Sequence, residues 1–493
     1  MSRIEPVESP RRRFHIRTYG CQMNVHDSDK LSNLLYHTGL EAADSVDAAD
    51  VLVINTCSIR DKAENQLYSD LGALRGWKEA LPGRVIGVGG CVAQQEGDSL
   101  LKRFSHLDFV FGTHNLRLVP SMLEAARKGE RHADTREVRS LDRFDMPALH
   151  PGMAAAGGGR AFLTVMEGCD MFCTFCIVPR TRGREISRPA KEIVEEARGL
   201  VETGVREVTL LGQTVNAYGR HDVRRGKGAQ AGTVAFADLL AELDAVPGIE
   251  RIRYTSPHPL FFDGDLIDAH ASLDHLCPHV HLPLQSGSNA VLDRMRRRYT
   301  RDEYLAIILG LRGAVPDLAI TTDLIVGFPG ESEEDFADTL DLVRRVGFVD
   351  SYSFKYSPRP GTAATDFAGS VDPGEAQRRL EALQGLQREL TLAHHRERVG
   401  ATVAVLLQGE SRRGGGQLCG RDAHHRLVNL APGGDGTPPD AAPGEIHWVK
   451  IVEATPHSLI GVLADRSRDG VATSGLSPGR GLEVLDPGTR PIG

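Results

Sequence analysis

The sequence predicts an α/β protein in three parts: a doubly wound α/β domain over 12–130, a partial (β/α)6 barrel over 161–391 and a small β-barrel over 394–466. Three observations predict it. Short apolar runs alternate with helical patterns through the first part, and six further strand–helix repeats follow. After residue 394 short strands separated by Gly and Pro replace that alternation. A chain of 493 residues also exceeds one domain. With 41% hydrophobic and 25% charged residues the composition is globular. The formal net charge of -8 argues against indiscriminate polyanion binding but leaves local basic patches open.

In the first part, the runs 14–19, 50–55 and 84–90 read as buried parallel strands, each followed by a helical pattern. The first helix is expected to open at Asp27, Ser28 and Asp29, with Leu31, Leu34 and Leu35 on one face. The carboxyl ends of such strands share one sheet edge, where ligands bind. Cys21, Cys57 and Cys91 each follow one of these runs. One cysteine so placed is an ordinary small core residue. Three at equivalent positions read as ligands of an iron–sulfur cluster, one thiolate short of four. Cys277 and Cys419 have no comparable setting and read as structural. Residues 131–160 read as a linker, with the Gly- and Pro-containing stretch from Met146 flexible by composition.

The barrel strands are expected at 161–166, 207–211, 251–255, 279–284, 319–326 and 351–356, with helical patterns between them such as 190–202 and 301–311. Barrel chemistry sits at the carboxyl ends of the strands. The loop after the first strand carries Cys169, Cys173 and Cys176, spaced CxxxCxxC with Phe175 before the last. A cubane cluster normally takes four cysteines, so three leave one iron open. S-adenosylmethionine needs such an iron if it is to be bound and split into a radical, which points to radical-SAM chemistry at a carbon that acid–base catalysis cannot activate. A zinc site would want a fourth Cys or His nearby. Disulfides would need an oxidising compartment. With 8 Cys in the chain, no apolar leader-length stretch and no run of eighteen apolar residues, the expected setting is a reducing cytoplasm with no membrane span. Other strand ends carry Gln213, Asn216, Gln285, Asp323, Gly327 and Gly330, a set suited to an S-adenosylmethionine pocket.

The last part shows strand patterns at 401–407, 427–430, 448–452 and 459–463, as in a small barrel of the oligonucleotide-binding kind. Basic side chains gather in three clusters. One is Arg412, Arg413, Arg421, His424, His425 and Arg426; a second is Arg294, Arg296, Arg297, Arg298 and Arg301; a third is Arg180, Arg182, Arg184 and Arg188. With the terminal barrel they predict an RNA partner, contacted by Arg296, Arg297, Arg298, Arg412, Arg413, Arg421 and Arg426. Residues 467–493 are Gly/Pro/Ser/Arg-rich and read as a disordered tail.

Ordered motifs then carry a resemblance over nearly the whole folded length: TYGCQMN at 18–24, NTCSIR at 55–60 followed by DKAE at 61–64, and GVGGCVA at 87–93. Beyond them come MEGC at 166–169, TRG at 181–183, LGQTVNA at 211–217, HLPLQSG at 281–287 and IVGFPGE at 325–331. The chain resembles the radical-SAM methylthiotransferases, and within them the branch acting on isopentenyladenosine (dimethylallyladenosine) in tRNA. The resemblance implies an N-terminal methylthiotransferase domain, a radical-SAM barrel and a C-terminal TRAM domain that grips tRNA. It also implies two [4Fe–4S] clusters, an auxiliary one on Cys21, Cys57 and Cys91 and a SAM-binding one on Cys169, Cys173 and Cys176. The implied reaction replaces the hydrogen on carbon 2 of the adenosine at position 37, in the anticodon loop, by a methylthio group. A monomer served by an electron donor such as flavodoxin or ferredoxin and by an iron–sulfur carrier is expected. Arg180 and the extra proline in Ser256–Pro259 depart from the family pattern, near the expected active face, and neither touches a cluster ligand. Sister enzymes act on threonylcarbamoyladenosine in tRNA or on a ribosomal-protein aspartate. A cobalamin-dependent radical-SAM methylase would carry DxHxxG, which this sequence lacks. A cluster-bearing redox sensor would not need an open iron in a barrel.

Overall fold

The computed structural model describes residues 12–58, 61–153, 158–224, 228–411, 416–432 and 440–464. Arg412, Arg413 and the tail from 467 lie outside the described residues.

Six parallel strands form the first sheet, in the order Glu41–Ala42, Arg13–Tyr19, Val51–Thr56, Val85–Gly90, Phe109–Phe111, His132–Asp134. Every residue of Val51–Thr56 and of Val85–Gly90 is buried, as expected of central strands with helices on both faces. The glycines of Val85–Gly90 have a packing reason: a Cβ at Gly87 or Gly89 would strike the rings of Phe109 or Phe111 on the next strand. The last strand, His132–Asp134, lies inside the stretch expected to be linker, so the sheet runs past residue 130.

The first helix begins earlier than its acidic cap signal suggested. It spans Gln22–His37 with Cys21 as the residue before it, and Asp27, Ser28 and Asp29 lie within it. Asp27 is committed to a buried ion pair rather than a cap. Leu31, Leu34 and Leu35 are buried on the expected face. Asn55, at the end of the central strand, donates to Asn24 O (2.8 Å) and Ser28 Oγ (3.0 Å) and accepts from Asn24 Nδ2 (3.3 Å). These bonds tie the helix after Cys21 to the strand before Cys57.

The segment from Met146 is also packed where described, not loose. Asn33 Nδ2 donates to Pro147 O (3.0 Å) and Ala148 O (3.3 Å), Asn33 Oδ1 accepts from His150 N, and Tyr36 stacks on His150 at 5.1 Å.

The barrel consists of two parallel three-stranded sheets. Arg160–Thr164, Glu207–Leu211 and Arg251–Tyr254 form one, and His279–His281, Ala319–Val326 and Asp350–Lys355 the other. A bridge between Ile252 and Leu276 links them, and no pairing among the described residues joins the first strand to the last. The outer helices include Ala190–Glu202, Arg301–Ala314 and Glu333–Val346, the last two opened by capping boxes on Thr300/Glu303 and Ser332/Asp335. The first expected strand is split: Arg160–Thr164 stays in the barrel, while Met166–Glu167 pairs antiparallel with Ile186–Ser187 as a clasp around the cysteine loop.

The last part is a closed five-stranded barrel of Thr402–Glu410, Leu418–Asp422, Leu427–Leu430, Leu459–Leu463 and Ile446–Ala454. Leu418–Asp422 has no apolar alternation and is absent from the sequence reading. This barrel docks at the amino ends of the larger one, where Arg251 donates to Arg421 O and Ala404 O and Arg253 donates to Asp422 O. No helix among the described residues is long and apolar enough to cross a membrane.

Asn55→Leu would leave Asn24 O and Ser28 Oγ without their donor in a buried site, at a cost of about 1–3 kcal/mol. The expected outcome is a lower urea midpoint for the first domain by circular dichroism, whereas the exposed change Glu79→Ala leaves it unmoved.

Candidate active site

The first cysteine trio sits on the carboxyl edge of the sheet. Cys21 precedes the first helix, Cys57 follows Val51–Thr56 directly, and Cys91 opens the helix Cys91–Glu96 after Val85–Gly90. Side-chain hydrogen bonds join Cys57 to both Cys21 and Cys91. The bond to Cys57 pulls Cys21 down to about 6 and Cys91 down to about 7, with the Arg182 guanidinium lowering both further. Cys57 moves up in exchange, through those two bonds and its burial. Gly20 makes the approach possible: it has φ +133°, and a Cβ there would strike the Cβ of Cys57.

The second trio lies in the loop held by the clasp. Cys169 and Cys173 are buried, and Cys176 N donates to Cys173 O in a tight turn. Gly168 (φ +84°) allows the loop to run against Arg184 O, which a Cβ would strike. Thr214 Oγ1 lies 3.1 Å from Cys169 Sγ, and Met171 N donates to the same sulfur at 3.5 Å. Arg297 Nη1 donates to Cys173 Sγ at 3.4 Å. Burial raises the Cys169 thiol and pushes Cys176 up to about 12. A buried guanidinium therefore bears on each trio, through the charge of Arg182 at the first and a hydrogen bond from Arg297 at the second. No three His, Cys, Asp or Glu among the described residues are arranged to hold a single metal ion. A cubane makes a different demand, because each thiolate takes its own iron corner.

The chain between the trios is short and firmly held. After Cys176 comes the single-turn helix Val178–Thr181, whose last carbonyl accepts from Thr113 Oγ1 of the sheet domain. Arg182 then reaches back to pair with Asp27 at 2.6 Å, both side chains 3% exposed. A second buried pair, Arg143 with Glu167 at 3.5 Å, lies beside it.

Cys21, Cys57, Cys91 and Arg182 form part of the wall of a cavity of about 1960 Å³ shared by all three parts of the chain. It runs through the lumen of the open barrel, past Thr209, Gln213, Arg253, His281, Thr321 and Asp323, to Arg421 and His425 of the small barrel.

Of the expected S-adenosylmethionine residues, Gln213 and Asp323 face this cavity. Gln213 Oε1 also accepts from Gly168 N, and Asp323 lies 3.4 Å from His281 Nε2. The others brace the frame. Asn216 is fully engaged with His258 N and O. Gln285 is a buried positive-φ residue whose backbone bonds the strand Ala319–Val326. Gly327 N donates to Glu331, and Gly330 packs against the Arg294 guanidinium.

The RNA set divides similarly. Arg296 and Arg298 are exposed, and Arg421 is half-buried at the cavity. Arg297 is buried against Cys173, and Arg426, in the cavity wall, is buried in an ion pair with Asp422 at 3.2 Å. The sequence reading missed the lumen residues Thr209, Arg253, His281 and Thr321. Their signal was polar side chains at alternate positions of the expected barrel strands. Cys277 is buried and Cys419 lies within Leu418–Asp422.

Comparison with known proteins supplies the family. The Radical SAM superfamily matches residues 163–343, and the Uncharacterized protein family UPF0004 matches residues 13–112. The tRNA-2-methylthio-N(6)-dimethylallyladenosine synthase of Geotalea uraniireducens is 49% identical over 418 residues, covering 85% of this chain and 92% of that protein. The enzyme of the same name from Mycobacterium bovis is 44% identical over 487 residues, covering 97% and 93%. Among solved structures, the radical S-adenosylmethionine methyltransferase TsrM of Kitasatospora setae, with cobalamin and a [4Fe–4S] cluster bound, aligns with a TM-score of 0.50 at 12% identity, covering 72% of this chain and 74% of that one. That likeness bears on the fold alone. A radical-SAM domain brings with it a [4Fe–4S] cluster and S-adenosylmethionine. With such identity over nearly its whole length, this chain belongs to the radical-SAM methylthiotransferase family of the tRNA-2-methylthio-N(6)-dimethylallyladenosine synthases.

Proposed function

We propose that this enzyme converts dimethylallyladenosine at position 37 of tRNA to its 2-methylthio derivative, with Cys169, Cys173 and Cys176 holding the cluster that binds S-adenosylmethionine and Cys21, Cys57 and Cys91 holding an auxiliary [4Fe–4S] cluster. The observation that carries this reading is the pair of three-cysteine sets, two cysteines of each buried, with a buried guanidinium bearing on each and the Asp27–Arg182 contact joining their domains. When bound, these groups supply the electron, the hydrogen-abstracting radical, and the sulfur and methyl that replace the hydrogen on carbon 2.

The protein's share is placement and exclusion. The sheet domain presents the first trio to the cavity, and the clasp holds the loop that carries the second. Gln213 ties the loop at Gly168 to the lumen wall, and Asp323 with His281 offers polar partners for S-adenosylmethionine. The target base has to leave the anticodon-loop stack to enter. Arg296 and Arg298, with Arg421 at the mouth, supply contacts to RNA, aided by the small barrel as a TRAM-like module. Turnover in the cytoplasm, as a monomer, draws on an electron donor such as flavodoxin or ferredoxin and on an iron–sulfur carrier.

Reconstituted anaerobic protein with reductant, S-adenosylmethionine and dimethylallylated tRNA should yield the 2-methylthio nucleoside by mass spectrometry. Cys57→Ala should abolish that product while 5′-deoxyadenosine still forms. If 5′-deoxyadenosine forms with the unaltered enzyme but no dimethylallyladenosine is modified, the substrate assignment is wrong, and threonylcarbamoylated tRNA becomes the next substrate.

The arginines make a separate expectation. Arg296→Ala and Arg298→Ala should weaken tRNA binding and each reduce the salt slope by about one. Arg426→Ala should instead lower the melting temperature, because it strands the buried Asp422 at a cost of about 3–5 kcal/mol. Unchanged salt slopes in both exposed variants would remove these residues from the RNA face.

A further inference from the structure

The barrel lumen is polar except beside its opening. Glu207, Thr209, Arg253, His281, Thr321 and Asp323 line it with charge and hydroxyl. The last strand, Asp350–Lys355, differs. Among the described strands it bonds to Ala319–Val326 alone, so it borders the gap that keeps the barrel open. Side chains two apart on a strand share a face, and Asp350, Tyr352 and Phe354 all line the cavity. Tyr352 is 53% exposed and Phe354 39%. The Tyr352 ring stands across that of His281, with centroids 5.9 Å apart. On the other side of the gap, Phe162 of Arg160–Thr164 also lines the cavity, half-buried and edge-on to His26 of the sheet domain. Exposed apolar side chains scattered singly over a surface need no explanation. Two large rings on one face of one strand, inside a concavity that is otherwise polar, mark a wall built for a ligand.

Such a wall takes a flat apolar group. The dimethylallyl arm of the target nucleoside is a branched hydrocarbon, planar about its double bond, with no hydrogen-bonding atom. Charged lumen residues would lose hydration to it and gain no bond in return. Aromatic faces hold it by burial and dispersion. We propose that Tyr352 and Phe354 are the receptor for the dimethylallyl arm, so that the strand bordering the opening reads whether the entering adenosine already carries that modification. The proposal rests on the reading of dimethylallyladenosine as the substrate. It makes the two rings specificity-determining contacts and gives them no part in the chemical step.

The test is anaerobic equilibrium binding to the cluster-loaded full chain, without reductant so that nothing turns over. Two labelled copies of one tRNA are compared, one dimethylallylated at position 37 and one unmodified there. The native protein should bind the dimethylallylated copy more tightly. Tyr352→Ala and Phe354→Ala should each weaken binding of that copy about tenfold, the size of one lost aromatic contact, and leave the unmodified copy unchanged. Tyr352→Phe keeps the ring and should keep the preference. Equilibrium dialysis should show S-adenosylmethionine binding unaltered in all three variants. A preference retained in either alanine variant overturns the proposal, as does an equal loss for both tRNAs, which would make the rings general RNA contacts. Weaker S-adenosylmethionine binding in an alanine variant assigns that ring to the cofactor and also overturns it. If an alanine variant fails to hold its clusters, Tyr352→Gln or Phe354→Gln, which fills the space without an apolar face, carries the same measurement. Cluster loss there too marks the ring as structural and overturns the proposal. If the native protein does not distinguish the two copies, the substrate reading itself fails, and the receptor with it.

Discussion

The arrangement of this molecule depends on a buried ion pair between two domains. Asp27 sits inside the first helix and Arg182 just after the radical-SAM loop, and their side chains are almost wholly removed from water. Desolvating two charges costs several kcal/mol per ion, so such a pair adds little net stability. Its value is selectivity. One seating of the sheet domain on the barrel satisfies both charges, and any slip leaves two bare ions in a dry interface. The second pair, Arg143 with Glu167, and the bond from Thr113 to Thr181 impose the same seating from neighbouring positions. The join is consequently polar and directional, as it must be if two cysteine sets on separate domains are to keep a fixed separation.

The barrel shows a matching departure from the usual rule. An eight-stranded closed barrel fills its centre with branched apolar side chains. Here six strands leave an opening, and the inward positions carry Glu207, Thr209, Arg253, His281, Thr321 and Asp323. These are paired among themselves: Arg253 with Glu207 at 3.1 Å, and His281 with Thr321 at 3.0 Å. The apolar core moves outward, to the layer between strands and helices that includes Leu210, Ile252, Ile320 and Leu342. A lumen lined this way is solvated by its own ion pairs and can exchange water for a polar ligand without exposing the core.

Much of this was legible in the sequence, and the reason is local. Cysteine spacing, the glycines before Cys21 and Cys169, and alternating apolar runs are features of contiguous residues, so the six candidate ligands and the three-part order could be read directly. Features that depend on where a side chain ends up in space could not. Arg297 looks like its neighbours Arg296 and Arg298 in sequence, yet it alone turns inward to Cys173. Asn216 looks like a ligand residue and is consumed by the backbone of His258. Asp27 looks like a helix cap and serves as a counter-ion. Leu418–Asp422 lacks alternation because barrel closure, not its own pattern, recruits it between two stronger strands.

The sorting of arginines also resolves an apparent conflict between a net charge of -8 and a polyanionic substrate. A buried arginine neutralises an internal carboxylate or thiolate and releases no counterions from RNA. Arg182, Arg297 and Arg426 are all of this kind. These side chains add nothing to a cationic surface for tRNA, and the acidic net charge weakens non-specific attraction. Selectivity then rests on specific contacts rather than on charge. An acidic net charge suits that task, because an RNA without those contacts gains too little from charge alone to remain bound.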